Sequence, residues 1–381
     1  MDVCIINEAF NMGGVERVVI EMANYMKRKG NKVSLVDFSG VNSFYYEVEK
    51  GIKIPHVIRP INFKRKLIKR ALYFKYKVNK NSLNIFQMFK EQTEDLIEYL
   101  SNSKHEILIL CQGVLTALIP ILKKRVPNIK IVAWQHNDFD VYTSKYYKEF
   151  ILDYKLGVEK ADLVVCLTAN DLEKFKKLNT KSCFIYNPLT ISDPQISTLN
   201  HKNIIFVGRL LIQQKGLDFL IKIGHELENG WRILVAGEGL DKEKFRNMIS
   251  ENELEEKIIL KGSLKSKELG KFYSSGSIFI STSRWEGFGL VITEAMACGL
   301  PIISFSNSGP KEILNNGTYG ILINDYDINQ FIDKLKNLII KKESREYFQS
   351  LSLERVKDFK MDVIIREWET NLNKLLKSTY S

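Results

Sequence analysis

Residues 284–301 of the chain read RWEGFGLVITEAMACGLP, and they follow the apolar run Ile278–Ser281. The short apolar run is typical of a buried strand, the glycines around Glu286 indicate a loop, and the pattern from Leu290 predicts a helix. The next apolar run, Pro301–Phe305, predicts a second strand. A strand, a glycine loop, a helix and a second strand in this order predict a parallel βα unit.

The same alternation of short apolar runs and amphipathic stretches extends over almost the whole chain, so we predict an α/β fold. The segment 187–194 holds two prolines and turn-forming polar residues, and it indicates a linker. We therefore expect two Rossmann-like domains, 1–190 and 191–360, which bind ligands at the carboxyl ends of their strands in an interdomain cleft. The predicted strands are Val3–Ile6, Lys32–Phe38, Ile107–Cys111, Lys130–Trp134, Leu163–Leu167, Ser182–Tyr186, Asn203–Val207, Arg232–Ala236, Lys257–Lys261, Ile278–Ser281 and Pro301–Phe305.

Composition and charge indicate a globular chain with anionic partners. The 381 residues are 45% hydrophobic and 27% charged, which excludes collagen-like and disordered classes. A net charge of +11 favours nucleic acid, an acidic membrane face or a phosphorylated small molecule as a partner.

No apolar run approaches the roughly 20 residues of a spanning helix, and no basic leader is seen, so we predict a cytoplasmic protein. The five cysteines are predicted to be reduced core residues.

Much of the positive charge lies in the segment 63–90, which holds nine basic residues and no acidic one. Aromatic and aliphatic residues are interleaved with these cations, as in helices that lie on a membrane surface. We predict peripheral contact with the inner face of the cell membrane, and a solvated basic helix face is the alternative. Nucleic acid is not expected as a partner, because no binding motif accompanies the charge. The predicted membrane residues are Lys64, Arg65, Lys66, Lys69 and Arg70.

Two glycine-containing turns are candidates for phosphate binding. Gly13 and Gly14 open the first predicted helix, where backbone N–H groups can approach an anion closely. In the second domain, Arg209 leaves the end of a strand and Lys215 follows six residues later, so the two cations could converge on a pyrophosphate. Each motif taken alone is also consistent with a tight turn or with solvated loop cations.

Two carboxylates in the stretch 284–301 suit the recognition of sugar hydroxyls. Glu286 lies in the glycine loop, and Glu294 stands about one turn into the predicted helix, where its two oxygens could accept from a ribose diol. A metal site would need converging oxygens or histidines. The triplets 138–140 and 325–327 have the form Asp-x-Asp of metal-dependent transferases, but neither has the strand context that a metal-bound diphosphate needs. We predict no metal.

With these motifs the chain resembles, over nearly its whole length, the retaining, nucleotide-sugar-dependent glycosyltransferases of family 4, which have the GT-B fold of two facing Rossmann-like domains. The residues that carry the resemblance are Gly13-Gly14-Val15-Glu16, Val207-Gly208-Arg209-Leu210 with Lys215-Gly216, and the pair Glu286 and Glu294 followed by AMACGLP. The resemblance implies that the first domain, 1–190, binds the acceptor and the second, 191–360, binds the nucleotide sugar. In similar folds a last helix, here within 361–381, returns to the first domain.

The resemblance implies a role for each matching residue. Arg209 and Lys215 would bind the donor diphosphate and stabilise the departing charge, and Gly14 would meet the diphosphate from the first domain. Glu294 would hold the ribose. Glu286 would contact the transferred sugar, and His136 is expected near the same sugar. The donor site would be completed by Gly237, Ser263, Gly287, Phe288, Gly289 and Leu290.

The resemblance also implies the reaction. A hexose or N-acetylhexosamine would pass with retention of configuration, and without a metal or other cofactor, from a nucleotide sugar to a glycan, a lipid-linked saccharide or a cell-wall polymer of a bacterial envelope. UDP is favoured over GDP, because residues 306–312 resemble the corresponding stretch of members that use UDP-sugars. The alternatives are a sugar-nucleotide epimerase on the same fold and a noncatalytic, membrane-associated glycan-binding protein.

Overall fold

A computed structural model describes residues 1–79, 82–228 and 230–377, and the chain divides into two compact units. The first unit consists of residues 1–188 and the segment from Met361 onward, and the second unit consists of residues 189–360. The division falls inside the predicted linker, two residues before the predicted boundary. Lys80 of the basic segment and residues 378–381 of the predicted last segment lie outside the described residues.

The first unit contains a six-stranded parallel sheet in the order β2-β1-β3-β4-β5-β6. Its first strand lies between β2 and β3, so the chain leaves β1 toward one side of the sheet and later returns to the other side. This makes the β1/β3 edge the topological switch point, where open α/β sheets bind ligands. The strands are β1 (Asp2–Asn7), β2 (Lys32–Asp37), β3 (Ile107–Cys111), β4 (Lys130–Trp134), β5 (Leu163–Cys166) and β6 (Ser182–Phe184).

Helices cover this sheet, and the first helix shows how an apolar face packs against it. In the first helix, Val18, Val19, Met22, Ala23 and Met26 recur at helical spacing and are buried. The helices are α1 (Gly14–Arg28), α2 (Phe63–Asn79), α3 (Ile85–Met88), α4 (Lys90–Ser101), α5 (Gly113–Ala117), α6 (Ile119–Arg125), α7 (Phe139–Val141), α8 (Ile151–Lys160) and α9 (Ala169–Lys176). A π-helical turn, Tyr142–Tyr146, and a 3₁₀ turn, Lys148–Phe150, separate α7 from α8.

The second unit repeats the architecture with the order β12-β11-β10-β7-β8-β9, again parallel, and its switch point lies between β7 and β10. All predicted strands are confirmed to within two residues at either end, whereas β12, three residues long, was not predicted. The strands are β7 (Asn203–Val207), β8 (Arg232–Ala236), β9 (Ile258–Gly262), β10 (Ile278–Ser281), β11 (Ile302–Phe305) and β12 (Ile321–Ile323).

The helices of the second unit surround a separate apolar core, centred on strand residues such as Ile204, Ile233, Ile280 and Ile303. The helices are α10 (Ile212–Lys215), α11 (Leu217–His225), α12 (Lys242–Glu251), α13 (Ser266–Ser274), α14 (Leu290–Ala297), α15 (Ser308–Ile313), α16 (Ile328–Ile340) and α17 (Lys342–Arg355).

The last described helix, α18 (Met361–Lys377), belongs to the first unit, where Trp368 packs edge-on against Trp134 at a ring distance of 4.8 Å. The cysteines are all unpaired, and four of the five are buried. Within the described ranges, no helix is both long and apolar enough to cross a membrane.

Candidate functional site

The predicted site residues of the second unit gather at the carboxyl ends of β7 and β10, which flank its switch point. Gly208 and Arg209 follow β7, and the loop that carries Glu286 follows β10. Arg209 is exposed at this edge. The position matches the crevice in which open parallel sheets bind their ligands.

Lys215 and Glu286 form an ion pair in which the Lys215 ammonium donates to Oε1 of Glu286. The two side chains are only 10% and 11% exposed. From the sequence, Lys215 was assigned to the diphosphate and Glu286 to the transferred sugar, and the structure brings the two side chains together. A Cβ atom on Gly208, the residue before Arg209, would lie 3.5 Å from Cδ of Lys215, so this largely buried cation, compensated by a carboxylate, lies close to the end of β7.

The backbone around Lys215 is fixed by tight contacts with the end of β10. Gly216 adopts φ +63°, and a Cβ atom there would lie 2.1 Å from the carbonyl oxygen of Thr282. The Thr282 hydroxyl donates to the Lys215 carbonyl at 2.8 Å. A glycine after α10 is therefore required for the lysine to lie against the strand end.

Arg284 anchors the loop before Glu286. Its guanidinium makes two hydrogen bonds to Asp218, of 2.8 and 2.6 Å, and lies 4.4 Å from the ring centre of Phe219. The Arg284 backbone N–H also donates to the Gln214 carbonyl at 2.8 Å. Sequence reasoning gave Arg284 no role, and these contacts identify it as a residue that positions the loop on α11.

Glu294 is held inside the second unit by two hydroxyl groups. The Tyr273 hydroxyl donates to Oε2 at 2.9 Å and the Thr190 hydroxyl to Oε1 at 3.0 Å, and Glu294 is 3% exposed. The carboxylate is thus held by hydroxyl donors, the same kind of donor that a ribose diol would supply. Sequence reasoning missed Tyr273 and Thr190, because neither belongs to a recognisable motif near Glu294.

The remaining predicted donor-site residues differ in burial and in backbone conformation. Gly289 precedes α14 with φ +106°, and Phe288 is buried against Phe359 at 5.8 Å. Residues 287 and 289 are buried, and Leu290, partly exposed, begins α14.

Two further predicted donor residues follow β8 and β9. Gly237 lies so close to the end of β7 that a Cβ atom would come within 1.9 Å of the Gly208 carbonyl oxygen. Ser263, after β9, is exposed.

In the first unit, Gly14 is exposed at the first position of α1, and His136 follows β4. His136 is 7% exposed, and its ring lies 4.3 Å from the ring of Trp134. Among the described residues, neither ring nitrogen of His136 finds a hydrogen-bond partner. Burial lowers the pKa of His136 to about 3, so the imidazole is neutral near pH 7. A buried, unpaired imidazole is a rare feature that a bound ligand would explain.

The predicted membrane residues do not all face solvent. Lys64, Lys66 and Arg70 are exposed on α2. Arg65, in contrast, is buried, donates to the Gln87 carbonyl at 3.0 Å and pairs with Glu91, so its assignment as a membrane contact is corrected.

Lys69 also turns inward. Its ammonium lies 3.5 Å from the ring centre of Phe89, and burial lowers its pKa to about 8. The exposed cations of α2 instead accompany exposed apolar residues: Phe63, Leu67, Phe74 and Val78.

Both Asp-x-Asp triplets have structural roles at helix starts. The Asp138 side chain accepts from the N–H of Asp140 at 2.8 Å, and that of Asp327 accepts from the N–H of Gln330 at 3.0 Å. Within residues 1–79, 82–228 and 230–377, no group of three or more His, Cys, Asp or Glu residues could hold a metal ion.

Comparisons with known proteins find relatives that cover nearly the whole chain. An uncharacterized glycosyltransferase of Haemophilus influenzae is 27% identical over 366 residues, which cover 94% of this chain and 95% of that protein. The amylovoran biosynthesis glycosyltransferase AmsD of Erwinia amylovora is 25% identical and covers 97% of this chain and 98% of its own length. The crystal structure of Anabaena HepE in complex with UDP shares the fold, with a TM-score of 0.73 at 15% identity, over 98% of this chain and 100% of HepE.

Family models match both units of the chain. The model described as Glycosyltransferase Family 4 matches residues 12–192, and the model described as glycosyl transferases group 1 matches residues 191–352. Together with two six-stranded parallel sheets and glycosyltransferase relatives of similar length, these matches show that the chain belongs to the glycosyltransferases of the GT-B fold.

Proposed function

We propose that this glycosyltransferase transfers a hexose or N-acetylhexosamine, with retention of configuration and without a metal, from a UDP-sugar to an acceptor in bacterial envelope polysaccharide synthesis. The observation that carries the proposal is the largely buried Lys215–Glu286 pair at the switch point of the second unit, where Lys215 lies close to Gly208, the residue before Arg209. The relative AmsD, named for amylovoran biosynthesis, and HepE, whose structure contains UDP, support the acceptor class and the nucleotide.

The residues of the second unit account for binding and charge stabilisation. Arg209 and Lys215 bind the donor diphosphate, whose negative charge grows as the glycosidic bond breaks. Before the donor binds, Glu286 holds the Lys215 ammonium in place. When the donor is bound, the ammonium contacts the diphosphate, and Glu286 accepts hydrogen bonds from hydroxyls of the transferred sugar. Glu294, oriented by Tyr273 and Thr190, accepts from the ribose hydroxyls.

In the first unit, the proposed contacts are Gly14 with the diphosphate and His136 with the transferred sugar. The His136 imidazole is neutral, so it offers one N–H donor and one acceptor nitrogen to hydroxyls rather than a charge. In the proposed retaining route the departing phosphate helps to deprotonate the acceptor on the same face of the sugar, so no residue of the chain has to serve as a covalent nucleophile.

We further propose that the enzyme works at the inner face of the cell membrane on a glycan, a lipid-linked saccharide or a cell-wall polymer. The basis is α2, where the exposed Lys64, Lys66 and Arg70 lie among apolar residues such as Phe63 and Phe74, which are 75% and 70% exposed. A surface that combines cations with exposed aromatic rings fits the headgroup region of an anionic bilayer.

The test is nucleotide release by the purified protein from a panel of UDP- and GDP-sugars, with and without EDTA and a bacterial lipid extract. We expect release from one UDP-sugar, insensitive to EDTA and raised by lipid, with an α-linked product. Epimerised donor without nucleotide release would overturn the proposal in favour of an epimerase. Loss of turnover in Glu286→Ala, with liposome binding intact, would exclude the noncatalytic alternative.

A further inference from the structure

Glu8 lies at the switch point of the first unit, the position that corresponds to the donor crevice of the second unit. It follows β1 directly, and the β1–β3 register pairs Ile6 with Leu110, so Glu8 stands opposite Gln112 when the register is continued. The side chain is partly exposed. A carboxylate at such an edge is well placed to meet a ligand.

The backbone opposite Glu8 is strained at Gln112. Gln112 adopts φ 72° and ψ 173°, a backbone region that residues other than glycine rarely enter because it is strained. Its side-chain amide donates to Oδ1 of Asn7 at 3.3 Å, which links the ends of β3 and β1. Two residues later, the Val114 backbone N–H lies near enough to the Glu8 carboxylate to lower its pKa.

A chain of contacts continues from Gly113 to His136. The Gly113 backbone N–H donates to the Tyr147 hydroxyl at 3.0 Å, the Tyr147 and Tyr142 rings pack with their centres 4.7 Å apart, and the His136 backbone N–H donates to the Tyr142 hydroxyl at 3.1 Å. A Cβ atom at Gly113 would lie 1.9 Å from the Tyr147 ring, so glycine is required here. The edge therefore connects Glu8 to a histidine that is nine-tenths buried and without a partner among the described residues.

We propose that Glu8 binds a hydroxyl group of the acceptor sugar at the switch point of the first unit, and that it is the carboxylate which positions the acceptor for transfer. The inference rests on the proposed function, because it requires a sugar acceptor. The partly exposed Glu8 carboxylate has two acceptor oxygens, as a diol or a single hydroxyl needs.

The charges around Glu8 make this binding dependent on pH. Burial raises the pKa of Glu8 to about 7; the Val114 N–H lowers it, Glu16 of α1 raises it and Lys69 of α2 lowers it. The thiol of Cys111 and the hydroxyls of Tyr142 and Tyr147 also lie within electrostatic range. Because the ionised form is the better acceptor of hydroxyl protons, binding should strengthen as the pH rises through about 7.

The experiment measures the binding of methyl glycosides of glucose, galactose and N-acetylglucosamine by saturation-transfer NMR titration, with and without UDP, between pH 5.5 and 8.5. Glu8→Gln keeps the shape of the side chain, removes its charge and replaces one acceptor oxygen by an NH2 donor. We expect its affinity for the bound glycoside to fall at least about tenfold and to lose the pH dependence. Glu98→Gln, an exposed carboxylate on α4, is the matched control and should bind like the unaltered protein.

The outcomes separate this inference from the proposed function. Equal affinity in Glu8→Gln and Glu98→Gln, or no binding of any glycoside by the unaltered protein, would overturn the role of Glu8. Glycoside binding that depends on Glu8 in a protein that releases no nucleotide from any donor would overturn the proposed transfer reaction and leave the site intact. A circular dichroism melt of each variant checks that a loss of binding does not reflect unfolding.

Discussion

At the scale of single residues, the second unit has a pair of opposite charges, Lys215 and Glu286, at the position where a charged ligand is expected. Lys215 and Glu286 are each about one-tenth exposed, and each compensates the other in the absence of a ligand. A buried charge without a partner is costly, so the pair keeps the site folded and charged at the same time. In the proposed function, this pair keeps the Lys215 ammonium charged in a largely buried position until a diphosphate binds.

Replacing Lys215 by Met tests this view. The change leaves the Glu286 carboxylate without its cation, so we expect a loss of about 3 kcal/mol of unfolding free energy and at least a tenfold weaker affinity for UDP. Urea unfolding and calorimetric titration with UDP measure the two effects. Lys336→Met, which breaks the exposed pair with Glu226 in the same unit, is the control and should change neither quantity appreciably. Unchanged UDP affinity in Lys215→Met would contradict the assigned role.

At the scale of secondary-structure elements, α13 and α14 act together on the predicted ribose-binding residue. Tyr273 on α13 is fully buried and directs its hydroxyl to Glu294 on α14, and Thr190 reaches the same carboxylate from the first residues of the second unit. Two fixed donors hold the carboxylate in one orientation. Helix packing, rather than the loop, thus sets the position of Glu294.

Tyr273→Phe should loosen this carboxylate without opening a cavity, because only the hydroxyl is removed. We expect the KM for the nucleotide-sugar donor to rise about tenfold with a smaller change in kcat, since the ribose contact is present before and during transfer. Steady-state kinetics with varied donor gives both constants. Tyr347→Phe, at an exposed position of α17, should behave like the unaltered enzyme. A kcat effect without a KM effect would argue against a role for Tyr273 in donor binding.

At the scale of the whole molecule, each unit is a parallel sheet with one topological switch point. The candidate site residues of each unit follow the strands that flank this point. The positive charge is concentrated on the first unit in and around α2. A net charge of +11 is therefore not spread evenly, and it can orient one face of the protein toward an acidic surface.

The triple variant Lys64→Gln, Lys66→Gln, Arg70→Gln tests this surface. At about 1 kcal/mol for each cation near an anionic membrane, we expect roughly a hundredfold weaker binding to phosphatidylglycerol liposomes, measured by co-sedimentation at low salt. Neutralising Lys341, Lys342 and Lys357 of the second unit removes the same charge elsewhere and should have little effect. Equal liposome binding by the two triple variants would remove the basis for a membrane contact through α2.

The sequence by itself determined the alternation of strands and helices, the bounds of most strands and the loop that carries Glu286. These features follow from local periodicity and glycine placement, which neighbouring residues encode. Only the tertiary structure joined Lys215 to Glu286, 71 residues apart, and Thr190 to Glu294, 104 residues apart. It also turned Arg65 and Lys69 inward and placed Glu8 opposite Gln112, because contacts between distant segments depend on how the sheets and helices pack and leave no local signal in the chain.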